Sequence, residues 1–185
     1  MNIYLVGYMY SGKTTVGRQL ARRLNYRFID LDQAFESHYR TTVPLFFQRY
    51  GEAAFRQLEQ KELHLTAELD HTIVSTGGGT PCHADNMDWI NAHGTSIFLE
   101  TTPEELVTRA LKSRKQRPVL SGMSPAELDT FIATQLEQRL PYYRKAQLSF
   151  PAGDPDIELL ADLLASHGIT PITESSNELY GKGCN

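Results

Sequence analysis

Gly7-Tyr8-Met9-Tyr10-Ser11-Gly12-Lys13-Thr14 is the stretch that decides the fold of this chain. It reads GxxxxGKT and stands between an apolar run, Ile3-Tyr4-Leu5-Val6, and a segment with helical periodicity from residue 13 to 24. A strand, a glycine-bearing turn and a helix in that order make a cradle for phosphate. Backbone N–H groups turn inward around a β-phosphate, and the helix adds the positive end of its dipole. Lys13 supplies a point charge, and the Thr14 hydroxyl is a ligand for Mg2+. A chance match in a turn would not bring both flanking elements and Thr15 with it. Tyr10 stands where this motif often carries glycine. At φ > 0 a tyrosine costs roughly 1 kcal/mol or more. The expectation is therefore a conformation at Tyr10 that avoids positive φ, or else a loop under strain.

Outward from the loop, short apolar runs alternate with helical patterns, which predicts βαβ units and a mostly parallel sheet. Further strand candidates are Arg27–Asp30, Thr72–Ser75, Ser96–Leu99 and Leu148–Phe150. Residues from Gln33 to about Leu69 read as helix, broken near Thr41–Pro44 and Tyr50–Gly51. Phe55, Leu58, Leu65 and Leu69 form the expected buried stripe of its last part. A helix passes through Trp89, and another runs from about Ile157 to Ala165. Thr102-Pro103-Glu104-Glu105 and Ser124-Pro125-Ala126-Glu127 are matching helix starts, each a capping hydroxyl, a proline and then acids.

Composition bounds the rest. At 185 residues the chain is expected to form one domain with a core large enough to need no staples. Its net charge of −4 gives no general pull toward nucleic acid or a membrane surface, so any anion must be held by a local site. Cys82 and Cys184 make neither a disulfide framework nor a zinc spacing. The apolar start lacks a basic leader and no run is long enough to span a bilayer, so a soluble, cytoplasmic protein is expected.

Several polar clusters could serve the phosphate site. Asp30 and Asp32 end the second strand, where alternation would put both carboxylates on one face; the competing role is capping of the next helix. One carboxylate could orient Mg2+ through water and the other accept a proton. Gly77-Gly78-Gly79 follows the third strand and lets backbone approach a ligand. Arg56 lies three residues before Glu59, a spacing for an ion pair that fixes the guanidinium. Arg139, before Leu140-Pro141, is expected to end a helix. Each arginine could equally serve a surface salt bridge. Lys112-Ser113-Arg114-Lys115-Gln116-Arg117 packs four cations into an otherwise acidic protein, where a solvated face is the plain alternative.

Together these residues resemble the shikimate kinase family. GxxxxGKTTVGRQLA at 7–21, DLD at 30–32, GEAAFRQLE at 51–59, GGG at 77–79, RPVL at 117–120 and RLPYYRKA at 139–146 occur in that family's order. The resemblance implies an α/β fold of the nucleoside-monophosphate-kinase type, a five-stranded parallel sheet flanked by helices. It implies transfer of the γ-phosphoryl of ATP to the 3-hydroxyl of shikimate, with Mg2+, by a monomer that needs no nucleic acid or membrane.

By resemblance, Tyr10, Ser11, Gly12, Lys13, Thr14 and Thr15 hold ATP, with Arg109 on adenine and Arg117 reaching the phosphates from a lid. Thr14 and, through water, Asp30 serve the metal. Asp32, Arg56, Gly77, Gly78, Gly79 and Arg139 bind shikimate. Lys13, Asp32 and Arg117 are the implied catalytic set. The kinase domain would occupy residues 1–170, with a mobile lid at about 112–123 and substrate-binding helices at about 33–62, and a polar tail would follow at 171–185. Two departures stand out: Tyr10 replaces the family's usual glycine, and the step from Arg109 to Arg117 is one residue longer than usual. Two rivals are another kinase of the same architecture, acting on gluconate or a nucleotide, and a nucleotide sensor in which Tyr10 has disabled turnover. The two arginines and GGG favour a hydroxylated carboxylic acid, and Lys13, Thr14, Asp32 and Arg117 weigh against the sensor.

Overall fold

A computed structural model of the chain describes residues 1–113 and 122–172. In chain order the elements are β1 (Asn2–Val6), α1 (Lys13–Leu24), β2 (Arg27–Asp30), α2 (Leu31–Tyr39), α3 (Val43–Leu65), β3 (Thr72–Ser75), α4 (Asn86–His93), β4 (Gly94–Glu100), α5 (Pro103–Lys112), α6 (Pro125–Tyr143), β5 (Leu148–Pro151) and α7 (Ile157–Ser166). The five strands lie in the order β2-β3-β1-β4-β5 and every pair is parallel. β1 is central, with β3 on one side and β4 on the other. The connection from β1 runs to β2 on one side and that from β3 runs to β4 on the other, so the switch point lies between the ends of β1 and β3, where open parallel sheets present a ligand crevice.

The central strand is apolar throughout because both of its faces are covered. Alternation sends Ile3 and Leu5 into one cluster with Val16, Leu20 and Leu24 of α1 and Leu160 and Leu164 of α7. Tyr4 and Val6 point the other way, into a cluster with Leu106 of α5 and Leu128, Ile132 and Leu136 of α6. A third, aromatic cluster of Phe35, Phe46 and Phe55 joins α2 to α3. Both expected caps are present as complete capping boxes, Thr102 with Glu105 and Ser124 with Glu127. Among the described residues no helix is long and apolar enough to cross a membrane.

Three expectations are corrected. Leu65 is exposed, and Phe55, Glu59, Glu62 and Leu63 carry the buried side of α3, so two of the inward positions are acids. Glu59, Glu62 and Leu63 follow Phe55 at i+4, i+7 and i+8 on one face, whereas Leu65, ten residues on, lies off that face at the end of the helix. The expected break at Tyr50–Gly51 is present as a kink at Gly51, φ 77° and ψ 173°. Second, helix begins at Leu31, two residues ahead of Gln33, because Asp30 caps it. Third, Arg139 does not end a helix: α6 runs past Pro141 to Tyr143. Tyr143 is fully buried, stacks on Phe98 with centroids 5.3 Å apart and donates to Gly78 O at 2.5 Å, which holds the last turn in place.

Candidate active site

The phosphate loop leaves β1 through Gly7 at φ 143° and enters α1 through Gly12 at φ 95°. Gly12 offers no side chain to cap α1, so the helix's first N–H groups are left for a ligand. Tyr10 lies between the two glycines at φ 66°. The alternative in which it avoids positive φ is therefore overturned. The cost of that backbone, about 1–2 kcal/mol, is offset locally. Arg109 Nη1 donates to Tyr10 O at 3.2 Å, and the tyrosine side chain packs half-buried on the α5–α6 core cluster. Lys13 is buried, and its Nζ donates to Gly7 O and Tyr8 O, each at 2.8 Å.

Strand alternation does not place the two aspartates, because the chain has already turned into α2 at Leu31. Asp30 caps α2 and at the same time meets the phosphate loop. Its Oδ1 accepts from the N–H groups of Asp32 and Gln33, at 3.1 and 3.4 Å, and its Oδ2 accepts from Thr14 Oγ1 at 2.7 Å. Asp32 enters the same space from the first helical turn, where a carboxylate also meets the positive end of the α2 dipole. Residues 9–16, Asp30, Asp32, Gly77, Gly78, Arg109, Ala152 and Pro155 line one cleft of about 470 Å³. Ser11, Gly12 and Thr15 of the sequence-derived set belong to that wall.

A larger hollow of about 560 Å³ lies behind the 152–155 turn, but its lining sets Glu100, Glu105, Asp154 and Asp156 against Arg144 alone. That balance repels phosphate, so the smaller, lysine-bearing cleft is the one suited to it.

The glycine run is where the remaining candidates meet. A Cβ on Gly79 would collide with the Arg56 guanidinium, and one on Gly78 would lie 3.6 Å from Arg139 Nη1. One on Gly77 would lie 2.6 Å from Glu59 Oε1 and 3.3 Å from Asp32 Oδ1. Side chains from α2, α3 and α6 thus press on one turn, which has room for hydrogen atoms and little else. Arg56 donates from Nη1 to Glu59 Oε2 at 2.6 Å, the expected pair, and from Nε to Glu52 Oε1 at 3.2 Å. Arg139 donates from Nη2 to Gln135 Oε1 at 3.0 Å and lies over the Tyr8 ring.

Glu59, Thr80 and Tyr143 were not named as site residues by the sequence. Glu59 is 3% exposed and its Oε1 accepts from Thr80 Oγ1 at 2.6 Å, so one carboxylate ties the arginine to the glycine turn. Burial pushes the Glu59 carboxyl up, against the pull of Arg56 and Thr80. Its spacing from Arg56 was the available signal. Tyr143, far away in sequence, gave none. Burial pushes the Tyr143 phenol up and the Cys82 thiol up to about 11, leaving both neutral beside the site.

Arg109 holds the opposite bank. Besides Tyr10 O, it donates through Nη2 to Ala152 O and, at 2.6 Å, to Gly153 O. The Ala152–Gly153 turn is therefore tied directly to the phosphate loop. Arg117 and most of the lid and tail, including Cys184, lie outside the described residues.

A family model described as shikimate kinase matches residues 9–165. The chain is 47% identical over 150 residues to a shikimate kinase of Parabacteroides distasonis, which covers 81% of this chain and 87% of that one. The crystal structure of shikimate kinase from Bacteroides thetaiotaomicron superimposes with a TM-score of 0.86 at 42% identity, over 89% of this chain and 98% of that one. The shikimate kinase from Acinetobacter baumannii, solved in complex with shikimate, does so with a TM-score of 0.81 at 32% identity, over 91% and 95% of the two chains.

Proposed function

The chain belongs to the shikimate kinase family, and from that membership we propose that its cleft transfers the γ-phosphoryl group of ATP to the 3-hydroxyl of shikimate, giving 3-phosphoshikimate on the route to chorismate and the aromatic amino acids. One observation carries the extension from family to site. The phosphate loop, two aspartates and two arginines surround a single glycine turn.

Shikimate has one carboxylate and several hydroxyls, and the two sides of that turn match them. Arg56 and Arg139 are the clamp for the carboxylate. Asp32 faces the reacting hydroxyl, orients it, and takes its proton as the new O–P bond forms and the bond to the ADP leaving oxygen breaks. Lys13, now bonded to loop carbonyls, is within the same wall to neutralise charge on the transferred group, and Arg117 is assigned to the same task.

Mg2+ suits the donors present: hard oxygens of Thr14 and Asp30 lie 2.7 Å apart, and among the described residues no group of three His, Cys, Asp or Glu could enclose a metal. Such a pair fits an ion that keeps its waters and substrate phosphates as its remaining ligands. When bound it supplies neutralisation of phosphate charge, Thr14 holding it directly and Asp30 through water. Arg109, anchored on three carbonyls, forms the wall against which adenine would lie. All of these groups come from one chain, in keeping with a monomeric enzyme.

The test is a coupled assay of ADP release with ATP and Mg2+, offered shikimate, gluconate or nucleoside monophosphates in turn. Turnover dependent on shikimate and far above that with the others is expected. Absence of shikimate-dependent ADP release overturns the proposal.

A further inference from the structure

Tyr8 is the first variable residue of the phosphate loop, yet it does not line the cleft that residues 9–16 wall. It is 1% exposed, and among the described residues its buried Oη has no hydrogen-bond partner. The ring does have a partner. The Arg139 guanidinium carbon lies 5.4 Å from its centroid, inside the roughly 6 Å range of cation–π attraction.

Both clamp arginines lie over aromatic rings, Arg56 over Phe55 and Phe47 at 5.3 and 5.9 Å and Arg139 over Tyr8, but they differ in their polar partners. Arg56 is fixed by carboxylates, Glu59 and Glu52. Arg139 meets neutral groups: Gln135 Oε1 at 3.0 Å, the Tyr143 phenol and the face of Tyr8. An aromatic face orients a guanidinium while leaving its N–H edge and its charge for an incoming anion, whereas a second buried carboxylate would compete with that anion.

We propose that Tyr8 is a positioning residue for the substrate carboxylate, its ring serving as the platform that holds Arg139 toward the Gly78 turn. The phosphate loop thus builds part of the acceptor site with a side chain that does not line the phosphate cleft. This inference rests on the reading of Arg139 as a carboxylate clamp, and its test is chosen to separate the two.

Steady-state kinetics of Tyr8→Leu, of Tyr8→Phe and of the chain with pentafluorophenylalanine at position 8 decide it. The last keeps a ring of similar volume and removes its negative face, so it serves if the leucine variant does not fold. For Tyr8→Leu and the fluorinated chain, KM for shikimate is expected to rise about three- to thirtyfold, with KM for ATP and kcat within about twofold. Tyr8→Phe is expected to match the parent. An unchanged KM for shikimate, an equal rise in KM for ATP, or a phenylalanine variant that behaves like leucine overturns the inference.

Should the parent chain show no shikimate turnover at all, the proposed function falls, and the platform is read by NMR instead. The Arg139 Nε–H resonance, identified by its loss in Arg139→Lys, should be shielded in the parent and in Tyr8→Phe and move downfield in Tyr8→Leu. A resonance that does not move overturns the platform.

Discussion

Replacing Glu59 by glutamine removes one charge from a point where three elements meet. Glu59 is 3% exposed, bonded at 2.6 Å to Arg56 and at 2.6 Å to Thr80. Breaking a buried pair by deleting one partner costs about 3–5 kcal/mol, because the other charge stays buried. Glutamine keeps the volume and one acceptor oxygen, but its NH2 must then face either the guanidinium or the Thr80 hydroxyl. That places Glu59→Gln near the lower end, about 3 kcal/mol. For a domain of this size the loss corresponds to roughly 6–12 °C in Tm. The carboxylate left to Arg56 is Glu52, 67% exposed, and an exposed pair contributes only about 0.2–1 kcal/mol. Arg56 should therefore wander, raising KM for shikimate by about tenfold, equivalent to about 1.4 kcal/mol, with a smaller change in KM for ATP. Calorimetry and the coupled ADP assay measure the two effects. A Tm within about 2 °C of the parent together with an unchanged KM for shikimate would refute the argument that Glu59 organises the acceptor side.

Three further outcomes can be checked. Asp32→Asn should lower kcat by about 10²- to 10⁴-fold and leave KM for shikimate nearly unchanged; near-normal kcat removes Asp32 from the role of base. Gly79→Ala puts a methyl group into the Arg56 guanidinium; the flexible arginine can yield, so Tm should fall little while KM for shikimate rises about tenfold, and an unchanged KM would show that the contact can be relieved without moving the clamp. In a Cys184→Ser chain, Cys82, its thiol pushed up to about 11 by burial, should alkylate at pH 8 some two hundredfold more slowly than an ordinary thiol of pKa about 8.5. Because the neutral form is the one favoured in the fold, the stabilisation is present below about pH 8.5 and is lost as pH rises through about 11. The alkylation rate should climb tenfold per pH unit until then, and a plateau near pH 9 would contradict it.

Most of the frame was legible because it is local. The GxxxxGKT loop, the strand before it and the two capping boxes depend on residues within a few positions of one another, and each stands where expected. Errors came where a residue far away in sequence decides. The last turn of α6 persists beyond Pro141 because Tyr143 bonds Gly78, sixty-five residues earlier. Leu65 faces outward because the groups that pack on α3 select the Phe55, Glu59, Glu62 and Leu63 face, acids included. In the site, Arg56 and Glu59 could be paired from their spacing, whereas the meeting of Arg56, Arg139, Glu59 and Asp32 at one glycine turn is a product of the folded topology. Tyr10 shows a different limit. Propensity argues against a left-handed backbone there, but the bond from Arg109 that holds it spans ninety-nine residues.

That arginine has a consequence for how the cleft can change over evolutionary time. Its three acceptors among the described residues, at Tyr10, Ala152 and Gly153, are main-chain carbonyls. Every amino acid carries such a carbonyl, so side chains on both banks can drift without cutting the tie, and the loop could exchange glycine for tyrosine while its attachment survived. The fragility is concentrated in a single codon, that of Arg109, which leaves its neighbours free to vary.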